Sequence, residues 1–165
     1  MILVEFDGDL KGKGLGVFGK KTNVFTFLSI SFNVFRGVNA TESGKPGDRL
    51  ASSGVQVGEI SLSRNSDATD ALMLQAMCTA TKPITKVTLT INNGNATSPT
   101  DYMILELSEV YISSYSSSAG GDDAPQASLS LNFAKFSITT SSTKSDNSSA
   151  GKNTFVWDIA KGIKP

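Results

Sequence analysis

The stretch Asp101–Ala160 decides the fold. It opens D-Y-M-I-L-E-L-S-E-V-Y-I-S-S-Y-S-S-S (Asp101–Ser118) and continues A-G-G-D-D-A-P (Ala119–Pro125). It then reads S-L-S-L-N-F-A-K-F-S-I (Ser128–Ile138) and, after a Ser/Asn/Gly loop, T-F-V-W-D-I-A (Thr154–Ala160). Met103, Leu105 and Leu107 share one parity, and so do Leu129, Leu131 and Phe133. That period of two belongs to strands with one face buried. Gly120-Gly121-Asp122-Asp123 supplies turn chemistry between them. Phe155, Trp157 and Ile159 share a parity on the last strand and read as core, which outweighs an exposed sugar-stacking platform.

Working outward, the same pattern recurs. Met1–Phe6 is a short apolar strand at an edge or the start of a sheet, and Asp7–Lys21 is a glycine-rich flexible stretch. Val24–Phe35 is a long strand whose apolar parity changes between Phe27 and Leu28 without a turn residue, which predicts a bulge or a bend between layers. Val55–Ser63 is a strand with a second parity change at Gly58. Val87, Leu89 and Ile91 alternate before the Asn92-Asn93-Gly94 turn. Phe136 and Ile138 take the opposite parity to Phe133. The helical candidate is Asp67–Ala80, with Ser66, Asp67 or Thr69 as cap, Leu72, Met73, Ala76 and Met77 at helical spacing, and Lys82-Pro83 as the stop. Many short strands and one helix predict a mainly β fold, an antiparallel two-sheet β-barrel or sandwich with one short α-helix.

Composition narrows the function. The chain has 165 residues, 15 basic and 15 acidic, and no histidine. One domain over 1–165 can bury a real core, and the zero net charge gives no sign of a nucleic-acid partner. The longest apolar stretch is interrupted by Thr26, Ser29, Ser31 and Asn33, so no membrane insertion is expected. Without histidine, Ser-His-Asp and Cys-His catalysis and histidine-ligated zinc are excluded. Lone Cys78 forms no intrachain disulfide and reads as a core or interface packing residue. Gly14-x-Gly16-x-x-Gly19 has the letters of a dinucleotide loop but lacks the strand–loop–helix context, so it reads as a flexible loop. Lys11, Lys13, Lys20 and Lys21 read as a solvated loop. Asp7-Gly8-Asp9 and Asp122-Asp123 lack the oxygen spacing of a calcium loop. No catalytic residue, cofactor or metal is expected. The N-terminus has no basic region and no long apolar run, so export would be independent of a signal peptide.

Five segments in order carry a resemblance. Asp67–Ala80 resembles the capped single helix of the haemolysin-coregulated protein (Hcp) family, tube subunits of bacterial type VI secretion. Ile84–Ile91, Tyr102–Ser118, Leu129–Phe136 and Phe155–Ile159 are similar to that family's following strands. The departures are the glycine-rich Gly12–Lys21, the absent histidine, and Phe27-Leu-Ser-Ile-Ser-Phe32 in place of a Trp-rich strand. The resemblance implies a cytoplasmic, then secreted, subunit of stacked homohexameric rings, with spike, sheath and effector proteins as partners. It implies that Arg36–Gly54, a long polar segment, reaches onto a neighbouring protomer through Arg36, Lys45, Pro46, Asp48 and Arg49. Ser29, Ser31 and Asn33, a neutral polar face, are candidates to line the lumen. Two alternatives share the composition: a monomeric β-sandwich adhesin or lectin-like module, and a phage tail-tube subunit. The absence of ligand clusters predicts an unchanged melting temperature in excess chelator. A large drop would assign an ion to Asp7, Asp9, Asp122 or Asp123.

Overall fold

The computed structural model describes residues 1–38, 51–121, 124–143 and 149–163. Strands β1 (Ile2–Phe6), β2 (Gly16–Phe18), β3 (Lys21–Phe27) and β4 (Ser29–Ser31) come first, with a 3-10 turn at Gly8–Leu10. β5 (Val34–Val38), β6 (Ala51–Val57) and β7 (Ile60–Asn65) follow, then helix α1 (Asp70–Thr79). β8 (Ile84–Asn92), β9 (Asp101–Ser118), β10 (Gln126–Thr143) and β11 (Ser149–Asp158) complete the order. Nine strands form one curled antiparallel sheet in the order β2-β3-β1-β8-β9-β10-β7-β4, with β11 also on β10. β5 and β6 form a separate two-stranded ribbon. The mainly β, two-sheet expectation with one short helix holds among the described residues.

The curl comes from a crease across three neighbouring strands. In β8 the inward positions step from Ile84 to Val87, in β9 from Leu107 to Val110, and in β10 from Phe133 to Phe136. The register aligns these steps: Ile84 faces Val110 and Val87 faces Leu107, while Phe133 faces Val110 and Phe136 faces Leu107. At that line Glu109 adopts a φ of 55°. A step of three instead of two turns every later side chain to the other face. Made by three strands on one line, it folds the sheet over its core.

The core is continuous across the crease. Val4, Leu89, Leu105 and Leu107 lie on one side, and Ile60, Leu62, Leu129 and Leu131 on the other. β10 serves both halves, pairing with β9 along most of its length. Its other edge is shared, β7 covering Gln126–Leu131 and β11 covering Lys135–Thr143. Helix α1 closes one opening with Met73, which is fully buried. Leu72, Ala76 and Met77 pack beside it.

Several expectations change. Val24–Phe35 is three strands: β3 ends at Phe27, β4 joins β7, and β5 leaves to pair with β6. The parity change therefore marks a change of partner at Leu28. Of the two readings of Met1–Phe6 the first-strand one holds: β1 opens the chain and lies between β3 and β8, not at an edge. Phe155 is 44% exposed and stacks on half-buried Trp157 at a ring distance of 6.1 Å. Trp157 and Ile159 do pack against the core. Cys78 is exposed on this subunit, which overturns the core reading of it.

The Gly14-x-Gly16 segment is also ordered. A Cβ on Gly14 would sit 2.3 Å from the Val24 carbonyl carbon, and one on Gly16 would sit 2.7 Å from the Val24 oxygen. These glycines let β2 lie directly on the β3 backbone, where no flexible side chain can yield. Gly14→Ala should destabilise the subunit by about 1–3 kcal/mol, the usual cost of forced overpacking. Chemical denaturation checks this; a loss below about 0.5 kcal/mol, the usual surface range, would mean the contact is loose.

Candidate functional site

Four triplets share one pattern of serine, apolar residue, serine. They are Ser29-Ile30-Ser31, Ser61-Leu62-Ser63, Ser114-Tyr115-Ser116 and Ser128-Leu129-Ser130. In a strand the outer two residues point one way and the middle one the other. The sheet brings all four together on adjacent strands. Ser29 faces Ser63, Ser63 faces Ser128, and Ser128 faces Ser116. Ser31, Ser61, Ser130 and Ser114 form a second row in the same register. Between the rows, Ile30, Leu62, Leu129 and Tyr115 point into the core side. Eight hydroxyls thus lie on one outward face, with rows about 4.8 Å between strands and about 6.7 Å along them.

The rows are stitched by their own hydroxyls. Ser29 and Ser63 Oγ are 2.6 Å apart, Ser116 and Ser128 Oγ are 2.7 Å apart, and Ser61 and Ser130 Oγ are 3.5 Å apart. Ser113, the extra residue where the β9–β10 register shifts, donates to the Ser130 carbonyl at 3.2 Å. The next row is also uncharged, with Asn65 facing Gln126 and Gln126 facing Ser118. At the other border Asn132 donates to Glu59 at 3.2 Å. Across the crease the outward face is different. Lys21 meets Glu5 at 2.5 Å, Lys86 pairs with Glu106, and Lys11 lies 3.3 Å from Asp7. The outer surface therefore divides into a neutral hydroxyl half and an ion-paired half.

A buried cation anchors the hydroxyl half to the helix. Arg64 continues the inward parity of β7 and is 2% exposed. Its guanidinium carbon lies 5.5 Å from the Phe27 ring centre and 6.0 Å from that of Phe25. It pairs with Asp67, donates to Thr69 Oγ1 at 3.1 Å, and lies 3.7 Å from the buried Asp70 carboxylate. Asp67 in turn accepts from the Thr69 N–H at 2.8 Å and the Thr69 hydroxyl at 2.5 Å. Partial burial disfavours the charged form of Asp67, but the Thr69 bonds and the Arg64 charge outweigh it and hold its pKa below the ordinary value. Burial and the nearby Asp70 charge push the Tyr115 phenol up.

Ser29 and Ser31 lie on the two hydroxyl rows. Asn33 lies past the end of β4, where a Cβ on Gly58 would meet its Oδ1 at 1.8 Å. Arg36 is exposed on β5, opposite Val55. Lys45, Pro46, Asp48 and Arg49 lie outside the described residues, as do Asp122 and Asp123. The ribbon exposes Val34 and Phe35. Among the described residues no group of three His, Cys, Asp or Glu could hold a metal. Sequence reading found one triplet of the four; the shared serine–apolar–serine spelling was the signal for the rest.

A model of the family described as "Type VI secretion system effector, Hcp" matches residues 10–140. Protein hcp1 of Pseudomonas aeruginosa is 27% identical over 112 residues, covering 67% of this chain and 68% of that protein. The crystal structure of Hcp1 from Salmonella typhimurium superposes with a TM-score of 0.73 at 17% identity, over 99% of this chain and 97% of that one. A structure of a type six secretion system protein gives 0.81 at 17% identity, over 99% and 98%.

The C-terminal turn predicts an acid response. Asp158 has a side chain 3% exposed and lies 3.5 Å from Lys135; it accepts from the Lys161 N–H at 3.1 Å. Burial disfavours its charge, but the Lys161 N–H and Lys135 outweigh that and hold its pKa below the ordinary value. Asp67 and Asp158 therefore contribute stability above the unfolded carboxylate range, about pH 4, and lose it as pH falls through their lower folded values. Asp158→Asn should be less stable at neutral pH and lose less stability on acidification than the parent. Urea titrations across that range check this; equal acid slopes would contradict it.

Proposed function

The chain belongs to the Hcp family of type VI secretion, and from that membership we propose that it is a tube subunit, one domain over 1–165. It assembles into closed homohexameric rings that stack into a tube, with the hydroxyl half of the sheet facing the lumen. The observation that carries this reading is the two serine rows across β4, β7, β10 and β9. Four strands with an uncharged outward face suit a channel wall. Such a wall gives passing proteins no charge to hold and no apolar patch to adhere to. The ion-paired half then faces outward, toward sheath or solvent. Heterologous contacts between identical subunits close a ring when the rotation closes.

The ribbon supports an assembled state. Val34 and Phe35 are exposed large hydrophobics on a two-stranded sheet, and an isolated ribbon is marginal in water. We assign it, with Arg36 and the segment carrying Lys45, Pro46, Asp48 and Arg49, to the contact with an adjacent protomer. The subunit has no catalysis of its own in this reading. It leaves the cell through the secretion machine, in company with spike and effector proteins.

Cysteine accessibility tests the orientation. In a Cys78→Ser background, Ser63→Cys should react with a small maleimide but be shielded from a large PEG-maleimide once rings have stacked. Thr88→Cys, on the ion-paired half, should accept both reagents. Equal reaction of both positions in assembled protein would place the serine rows outside the lumen. Native mass spectrometry showing only monomer at micromolar concentrations would sink the ring itself.

A further inference from the structure

A cavity of about 590 Å³ lies on the ion-paired half of the outer face, where the β2–β3 turn meets the β8–β9 loop. The two loops touch at Gly19, whose φ is 59° and where a Cβ would come 3.0 Å from the Ala96 carbonyl oxygen. The β8–β9 loop is held by its own side chains: Asn93 Oδ1 accepts from the Asn95 N–H at 3.0 Å, and Asn95 Oδ1 accepts from the Thr97 N–H at 3.0 Å. The cavity is therefore built between two fixed turns. Its floor is apolar, made by Leu3 and Phe18, which belong with Val24 to a small cluster separate from the main core.

Two buried polar side chains line it. Thr90 is 2% exposed and Asn92 is 4% exposed. Asn92 Oδ1 accepts from the Gly94 N–H at 2.9 Å. The Asn92 amide NH₂ and the Thr90 hydroxyl have no hydrogen-bond partner among the described residues. The fully buried side-chain atoms left without a partner lie elsewhere, at Ser66 and Asp70; Thr90 and Asn92 instead open onto the cavity, where a bound molecule can meet them. The rim carries one charge of each sign, Lys20 and Asp101. Neither forms an ion pair among the described residues, whereas neighbouring Lys21 is taken by Glu5.

We propose that this cavity binds a small zwitterion with an apolar body, such as a free apolar or aromatic amino acid. The body lies on Leu3 and Phe18, the carboxylate meets Lys20, the ammonium meets Asp101, and Thr90 and Asn92 hydrogen-bond the polar end. The volume is in the range of ordinary small-ligand pockets, which combine an apolar lining with a few placed polar groups. The site is independent of the tube reading, because it lies on the opposite half of the outer face from the serine rows.

Isothermal titration calorimetry of the purified protein with L-phenylalanine tests this. Saturable binding is expected, with a dissociation constant on the order of 0.1–1 mM for a ligand of this size. Two analogues separate the charges: 3-phenylpropionate lacks the ammonium and phenethylamine lacks the carboxylate. Each should bind about tenfold more weakly, the loss of one charge-assisted contact. Lys20→Met and Asp101→Asn, both at the rim, should weaken L-phenylalanine by a similar factor while keeping the parent melting temperature. Thr90→Val, which keeps the shape and removes the hydroxyl, should also weaken L-phenylalanine. No saturable heat with L-phenylalanine would overturn the proposal. So would either analogue binding as tightly as the zwitterion, or both rim variants keeping full affinity.

Discussion

The structure depends on three neighbouring strands changing face on the same line. A single strand that skips a residue makes a bulge. Three that do so in register, at Ile84/Val87, Leu107/Val110 and Phe133/Phe136, make a crease. One sheet can then enclose its own core and still carry two outward faces of different chemistry. The backbone cost is concentrated at Glu109, a non-glycine residue at a φ of 55°. Such a conformation costs of order 1–3 kcal/mol and persists only where its surroundings fix it. Here the surroundings are Val110, Leu107 and Phe133, all buried.

Arg64 shows how the hydroxyl half is tied to the helix. Its position on β7 belongs to the core by parity, yet it is charged. Burying a lone cation is costly, and its partners must offset most of that cost. Two aromatic faces, Asp67, Thr69 and Asp70 surround it, and each comes from an element that must be in place for the cluster to form. Arg64 therefore ties β3, β7 and the start of α1 to one geometry. The helix has little else at that end: Thr69 occupies the cap position, but its side chain makes no capping bond. The capping role passes to Asp67, which binds Thr69 and thereby couples helix entry to the buried cation.

Much of this was legible before the structure. Period-two patterning gave the strands, and the helix falls inside its predicted span with the same four residues facing the core. The parity breaks at Leu28, Gly58 and Ala134 were readable as breaks, but not as events of three kinds. At Leu28 the chain changes partner, at Gly58 it turns past Asn33, and at Ala134 the sheet creases. Only the register between strands separates these, and register is a long-range property. The glycines at 14 and 16 have the letters of a flexible loop, and nothing in those letters reports their closeness to Val24. Phe155 and Trp157 have the parity of core residues, but β11 is the last strand on its side, so part of that face stays open. The serine rows were half visible: each triplet is local, but their alignment across four strands is tertiary.

The division of the outer face extends to the edges of the sheet. β2, β4 and β11 each present an edge with no further strand among the described residues, and bare edges are liabilities in a monomer. β2 is three residues long and backed by lysines at 20 and 21. β4 is also three residues long but lies at the border of the neutral face, with no charge on Ser29, Ile30 or Ser31. Charged borders discourage pairing, and neutral ones permit it. Of these two short edges the uncharged one is β4, the strand that carries the outermost serines of the rows. A subunit that joins neighbours along that border extends its hydroxyl face without interruption, whereas joining at β2 would bring lysine clusters into the seam. The same sparing of charge that makes the face neutral therefore leaves its β4 border without the charges that discourage strand pairing.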